Sequence, residues 1–207
     1  MHDLKEIRFV ATNFYNLQGL KAVPLGMMLV FVSLWANEQT GPASNLGPPL
    51  LGIVVLLLLL FAVDRYYLHT FGLVRRTPES VRLEWLVAVI FGILALGAFW
   101  LEMSARYPVS PLGLVFAAGL LVDYIRITWL VNGRFLLYYP LGALLMAAVS
   151  VLPLLGVSNW WHLIGLKNQL IGITTVVGIF TMIAGIWGHI FLVRTLSSRG
   201  KQNANAI

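Results

Sequence analysis

The chain has 207 residues, of which 59% are hydrophobic and only 11% charged, where soluble domains carry roughly 25% charge. So much apolar surface with so little charge excludes an ordinary soluble fold and makes lipid the main solvent. The net charge of +6 does not point to nucleic acid, because the basic residues follow a membrane pattern, and the lack of cysteine excludes disulfides, thiolate nucleophiles and iron–sulfur ligation by this chain.

In chain order, residues 1–21 come first and are mixed. Leu4, Ile7, Phe9, Val10, Phe14 and Leu17 fall at roughly helical spacing among Lys5, Glu6, Arg8 and Lys21. This predicts a short interfacial amphipathic helix on the cytoplasmic face, the alternative being a polar start without fixed structure. Six apolar runs follow, at 22–36, 50–71, 83–103, 112–130, 136–155 and 170–193. The first reads as an uncleaved span, since Leu34 stands where a signal-peptide site needs a small residue. Fifteen residues reach only about 22 Å against a core of roughly 30 Å, so this span must begin earlier, near Leu17, or sit in thinned lipid. Thr77-Pro78-Glu79-Ser80 separates the second and third spans, with Ser80 placed to cap the third. Trp160, Trp161 and His162, between the fifth and sixth, read as an interfacial aromatic anchor. A polar tail, 194–207, closes the chain. The fold class is therefore all-α: a polytopic bundle of six transmembrane helices over 22–193.

Alternating the loops across the membrane puts Lys5, Arg8, Lys21, Arg65, Arg75, Arg76, Arg82, Arg126, Arg134, Arg194, Arg199 and Lys201 on one side. Only Arg106 and Lys167 fall on the other. Basic loops stay cytoplasmic, so both termini are predicted there, in a cell membrane of the bacterial inner-membrane kind.

Within the sixth span Thr174, Gly178, Thr181, Gly185 and Gly188 step by four, three, four and three and share one helical face. Such a face admits another helix closely, either within the chain or in a second copy. Ala88, Gly92 and Ala95 make a similar face in the third span.

Ionisable groups inside spans are costly and mark candidate sites. Asp64, Arg65 and His69 lie in the second span, Asp123 and Arg126 in the fourth, and His189 in the sixth, all in cytoplasmic halves. If those helices adjoin, the six residues form one polar cluster able to bind a ligand or a proton; otherwise they are interhelical ion pairs and snorkelling arginines. Glu102 can pair with Arg106 one turn on. His69 and His189 lie at similar depth, but two histidines alone do not make a haem site. No metal-binding, Walker or G-x-S-x-G motif occurs, so no cofactor or metal is expected.

Three functions fit. The first is a transport-related, permease-like subunit working with a separate cytoplasmic ATPase or as a homodimer, with Arg75, Arg76 and Arg82 available to dock the partner. In its layout of six spans and a cytoplasmic amphipathic start, the chain resembles the permease subunits of small ABC-type exporters. The second is a non-catalytic sensor or assembly partner, and the third a membrane enzyme or redox protein using the polar cluster.

Overall fold

The computed structural model describes residues 18–39, 47–71, 78–104, 107–126, 128, 137–157 and 159–204, without the side chains of 78–80, 83, 84 and 195–204. Nearly all of the interfacial helix expected over 1–21, together with Arg75 and Arg76, lies outside these residues. Among them there are helices and no strand. A 3₁₀ turn, Gly19–Lys21, leads into α1 (Ala22–Glu38); α2 (Gly47–Phe71), α3 (Pro78–Ser104), α4 (Pro111–Ile125) and α5 (Tyr138–Val151) follow. A 3₁₀ turn, Leu152–Leu155, extends α5; α6 (Trp160–Leu163) is short and α7 (Gln169–Ala204) is long.

Among the described residues, five stretches are long and apolar enough to cross a membrane: Gly19–Glu38, Gly47–Phe71, Trp85–Ser104, Tyr138–Leu155 and Gln169–Arg194. The chain thus has the helices of an integral membrane protein. The expected fourth span appears as α4, whose 15 helical residues fall short of the others. The weak first span gains its length from the Gly19–Lys21 turn, which brings it to 20 residues or about 30 Å. Pro24 falls in its first turns, where a missing N–H costs little. α3 starts at Pro78, whose φ is already suited to a helix, so Ser80 falls within its first turn and not ahead of it. α7 continues through the expected polar tail to Ala204.

The helices alternate in direction. α1 and α2 are antiparallel, with Leu20 bonded to Tyr67 at one end and Phe31 beside Gly52 further along. α3 and α4 are antiparallel, with Glu102 at Leu112 and Phe91 at Gly119. α4 and α5 meet where Ser110 N–H donates to Ser150 O at 3.1 Å, and α5 and α7 meet at Gly142 and Phe180. The two terminal helices pack most extensively. Gly185 lies on Gly19 and Gly178 on Gly26, pairs separated by seven residues in each helix. At their other end Lys167 N–H donates to Asn37 Oδ1 at 2.8 Å and Asn37 Nδ2 to Gly165 O at 3.2 Å.

α2 and α3 lie at the flanks and carry apolar side chains around most of their circumference. Leu50, Leu58 and Phe61 are exposed on α2, and Trp85, Leu96 and Trp100 on α3. A helix apolar all round belongs in lipid. The buried cluster of Ala98, Leu112, Ala117, Met146, Trp160, Ile173 and Val177 sits toward the Glu102 end of the bundle. Trp160 belongs to it and is packed inside the bundle rather than on its surface. Turns at Gly156 (φ 86°) and Gly165 (φ 76°) fold α6 back over α7, and Gly172 leaves room for its indole.

Candidate functional site

The six ionisable residues do not converge. Asp64 pairs with Lys21 at the start of α1, while Arg65 and His69 lie on the exposed side of α2. Residues 64 and 67 share the face of α2 turned to α1, and residues 65 and 69 share another. On the inward face Tyr67 is almost fully buried, and its Oη lies 3.0 Å from His189 Nδ1. Leu20 N–H donates to the same Oη at 3.2 Å. The Oη is thereby held between a backbone donor and the imidazole, and the tautomer of His189 sets which of Oη and Nδ1 donates. Tyr66 and Tyr67 both present ring edges to His189, with centroids 5.9 and 5.8 Å away.

This arrangement ties α1, α2 and α7 together at one end. Tyr67→Phe deprives Leu20 N–H of its acceptor and His189 Nδ1 of its hydrogen-bond partner. The expected loss is about 1–3 kcal/mol, since little water is available to replace a buried partner. Thermal unfolding in detergent reads it, and an unchanged midpoint would show the hydroxyl to be dispensable.

The second constellation lies on α4. Arg126 Nη2 is 3.1 Å from Asp123 Oδ1, and the arginine side chain is 15% exposed against 37% for the aspartate. The pair stands one helical turn apart on one face. Tyr138 and Tyr139, stacked with ring centroids 4.5 Å apart, lie near enough to Asp123 to feel its charge.

Between the two constellations is a cavity of about 170 Å³. Its walls include Phe116, Tyr138, Tyr139, Phe180, Thr181 and Gly188. The small-residue face of α7 therefore serves two surroundings: Gly178 and Gly185 meet glycines of α1, whereas Thr181, Gly185 and Gly188 border the cavity. Thr174 and Thr181 turn their hydroxyls back onto Leu170 O and Val177 O. An engineered apolar cavity of about 150 Å³ takes up benzene, so a solute of that order fits here.

At the opposite end Glu102 accepts from Ser110 Oγ, at 2.8 and 2.9 Å to its two oxygens, and from Leu112 N–H at 3.2 Å. The carboxylate caps α4; the expected partner Arg106 lies outside the described residues. Ser110 is fully buried and also accepts from Gly113 N–H at 3.1 Å.

No protein-family model, no curated protein and no solved structure matches this chain. No group of three or more metal-ligating side chains occurs among the described residues. Arg82 is exposed near the start of α3. Sequence reasoning missed Tyr67, Tyr138, Tyr139 and Ser110. Tyr67 carried one usable signal, its place one turn after Asp64 on the same helical face.

Proposed function

We propose that this protein is a six-span membrane protein with both termini cytoplasmic, acting as a permease-like, transport-related subunit for a small, weakly polar solute. The observation that carries the reading is the unequal packing of the bundle's two ends. Toward the Glu102 end Leu112, Trp160 and Ile173 pack together, whereas between Met146 and the Lys21 end lies the cavity bordered by Tyr138, Tyr139 and Gly188. A site hollow toward one face and packed toward the other is what a carrier offers while it is loaded from the hollow side. The basic residues put that hollow side in the cytoplasm.

Alternation of the helices supports the sixth span. The terminal helices are antiparallel and their ends meet at Gly19 and Gly185. Both then enter from the same side, which fits an even number of crossings with α4 among them. Its polar ends, Ser110 with Glu102 and Asp123 with Arg126, suit two interfaces. With no nucleotide-binding motif in the sequence, energy would come from a separate cytoplasmic ATPase or from a gradient used by a homodimer. Arg75, Arg76 and Arg82 are the residues proposed to dock such a partner.

Two measurements test this. A reporter active only outside the cytoplasm should work when fused after Asn45 and fail after Arg76; the reverse pattern overturns the orientation. Affinity purification from the native membrane in mild detergent should bring down a stoichiometric ATPase or a second copy of the chain. A monomer arriving alone would remove the subunit reading.

A further inference from the structure

Two hollows of the bundle share a wall. Between α3 and α4 runs a groove of about 420 Å³. Val87, Phe91 and Ala95 form one side of it, Val115 and Gly119 the other. Phe116 and Leu120 line it too, and the same two residues line the cavity bordered by α1, α5 and α7. They stand one turn apart on one face of α4. Gly119 and Val115 lie about 60° and 100° round the helix from Phe116, in one direction, which turns them to α3.

The partition between the hollows is therefore two side chains and not a helix. Phe116 and Leu120 are only half-buried, whereas Ala117 beside them is packed in the core. Side chains with free space on one side change rotamer far more readily than packed ones. The groove itself is open because its walls are small. Ala88 and Ala95 lie along it, and a Cβ on Gly119 would reach the Phe91 ring at 3.4 Å. α3, its outer wall, is apolar toward lipid at Leu96 and Trp100. Among the described lining residues the ionised groups are Asp123 and Arg126, which pair with each other at 3.1 Å. An apolar passage with its charges paired admits neutral molecules and leaves an ion without solvation.

We propose that the cavity is filled from the lipid phase, by a small neutral lipophile about the size of one aromatic ring. It enters along the α3–α4 groove and passes between Phe116 and Leu120. Expulsion from water concentrates such a molecule in the bilayer, beside the groove, before it is bound. Inside, Phe116, Tyr138, Tyr139 and Phe180 offer rings for the offset or edge-on contacts that aromatic guests prefer. The groove is a passage and the cavity is the site. This rests on reading the cavity as a solute site, and it holds with or without an ATPase.

The test follows fluorobenzene by fluorine NMR on the full chain in lipid nanodiscs, reading affinity from titration and exchange from saturation transfer. Gly119→Leu, and Ala88→Leu as a second variant, fill the groove without lining the cavity. Either should slow exchange at least about tenfold, a barrier higher by about 1.4 kcal/mol, and leave the dissociation constant within about twofold of wild type. Obstructing a route slows entry and release together. Ala184→Leu puts a larger side chain on the cavity wall and should weaken binding at least about tenfold. Exchange as fast in both groove variants as in wild type overturns the lateral route and leaves the cavity standing as a solute site. Affinity lost in the groove variants puts the probe in the groove and overturns the proposal as well. No binding by the wild type, or undiminished binding by Ala184→Leu, removes the solute site together with its route.

Discussion

Gly185→Ala should destabilise the bundle, and Gly185→Leu should destabilise it further, while Gly92→Ala should do neither. A Cβ added to Gly185 would meet Gly19 O at 2.5 Å and Ala22 Cβ at 3.1 Å. The obstruction is backbone and a methyl on a neighbouring helix, neither of which can swing aside. Relief therefore needs α1 and α7 to move apart, which also strains the Gly26–Gly178 contact two turns along. Overpacking of this kind costs about 1–3 kcal/mol, and the leucine is expected at or above the top of that range. Close backbone approach is a main source of helix association in lipid, so the loss is not recovered by apolar burial. At Gly92 an added Cβ meets nothing within 4 Å. Alanine there gains helix propensity of up to about 1 kcal/mol and should be neutral or stabilising. Thermal unfolding of the three variants in detergent decides the matter. Equal shifts for Gly92→Ala and Gly185→Ala would mean that the glycine crossing does not hold the terminal helices together.

That contrast marks where the sequence stops being informative. The four-three rhythm of small residues in α7 is legible because helical periodicity is fixed by backbone geometry. Its partner is not, since Gly19 and Gly26 stand seven apart with no comparable rhythm, and a stripe serves an internal contact or a second copy equally well. Apolar runs are legible for a similar reason: without water every backbone group must bond within its own helix, so spans are long and continuous. Even the need for the first span to begin before residue 22 follows from bilayer thickness, and the Gly19–Lys21 turn supplies that length.

The candidate site was less visible. Arg65 with His69 and Asp64 with Tyr67 are alternative faces of one helix, and spacing alone does not say which turns inward. The start of α1 settles it, because Leu20 N–H needs an acceptor and Lys21 a counter-charge, and Tyr67 and Asp64 provide them. The expectation of one cluster also assumed that α2, α4 and α7 adjoin. α2 and α7 do meet, through Tyr67 and His189 beside the start of α1, but Asp123 and Arg126 stay on the far side of the cavity.

Glu102→Leu should cost more than any other change at the opposite end of the bundle, and Glu102→Gln should cost much less. The carboxylate accepts the proton of Ser110 Oγ and the Leu112 N–H at the start of α4, where backbone N–H groups have no partner within the helix. Leucine would orphan both donors beside a serine that is fully buried. Each unmade bond costs about 1–3 kcal/mol, and the favourable meeting of a negative charge with a helix N-terminus, about 0.3–1 kcal/mol, is lost as well. Glutamine keeps an acceptor oxygen and loses mainly the charge. The melting midpoint in detergent should therefore fall in the order wild type, Glu102→Gln, Glu102→Leu, with the larger step between the last two. Equal steps, or a Glu102→Leu protein as stable as wild type, would remove the carboxylate from its capping role.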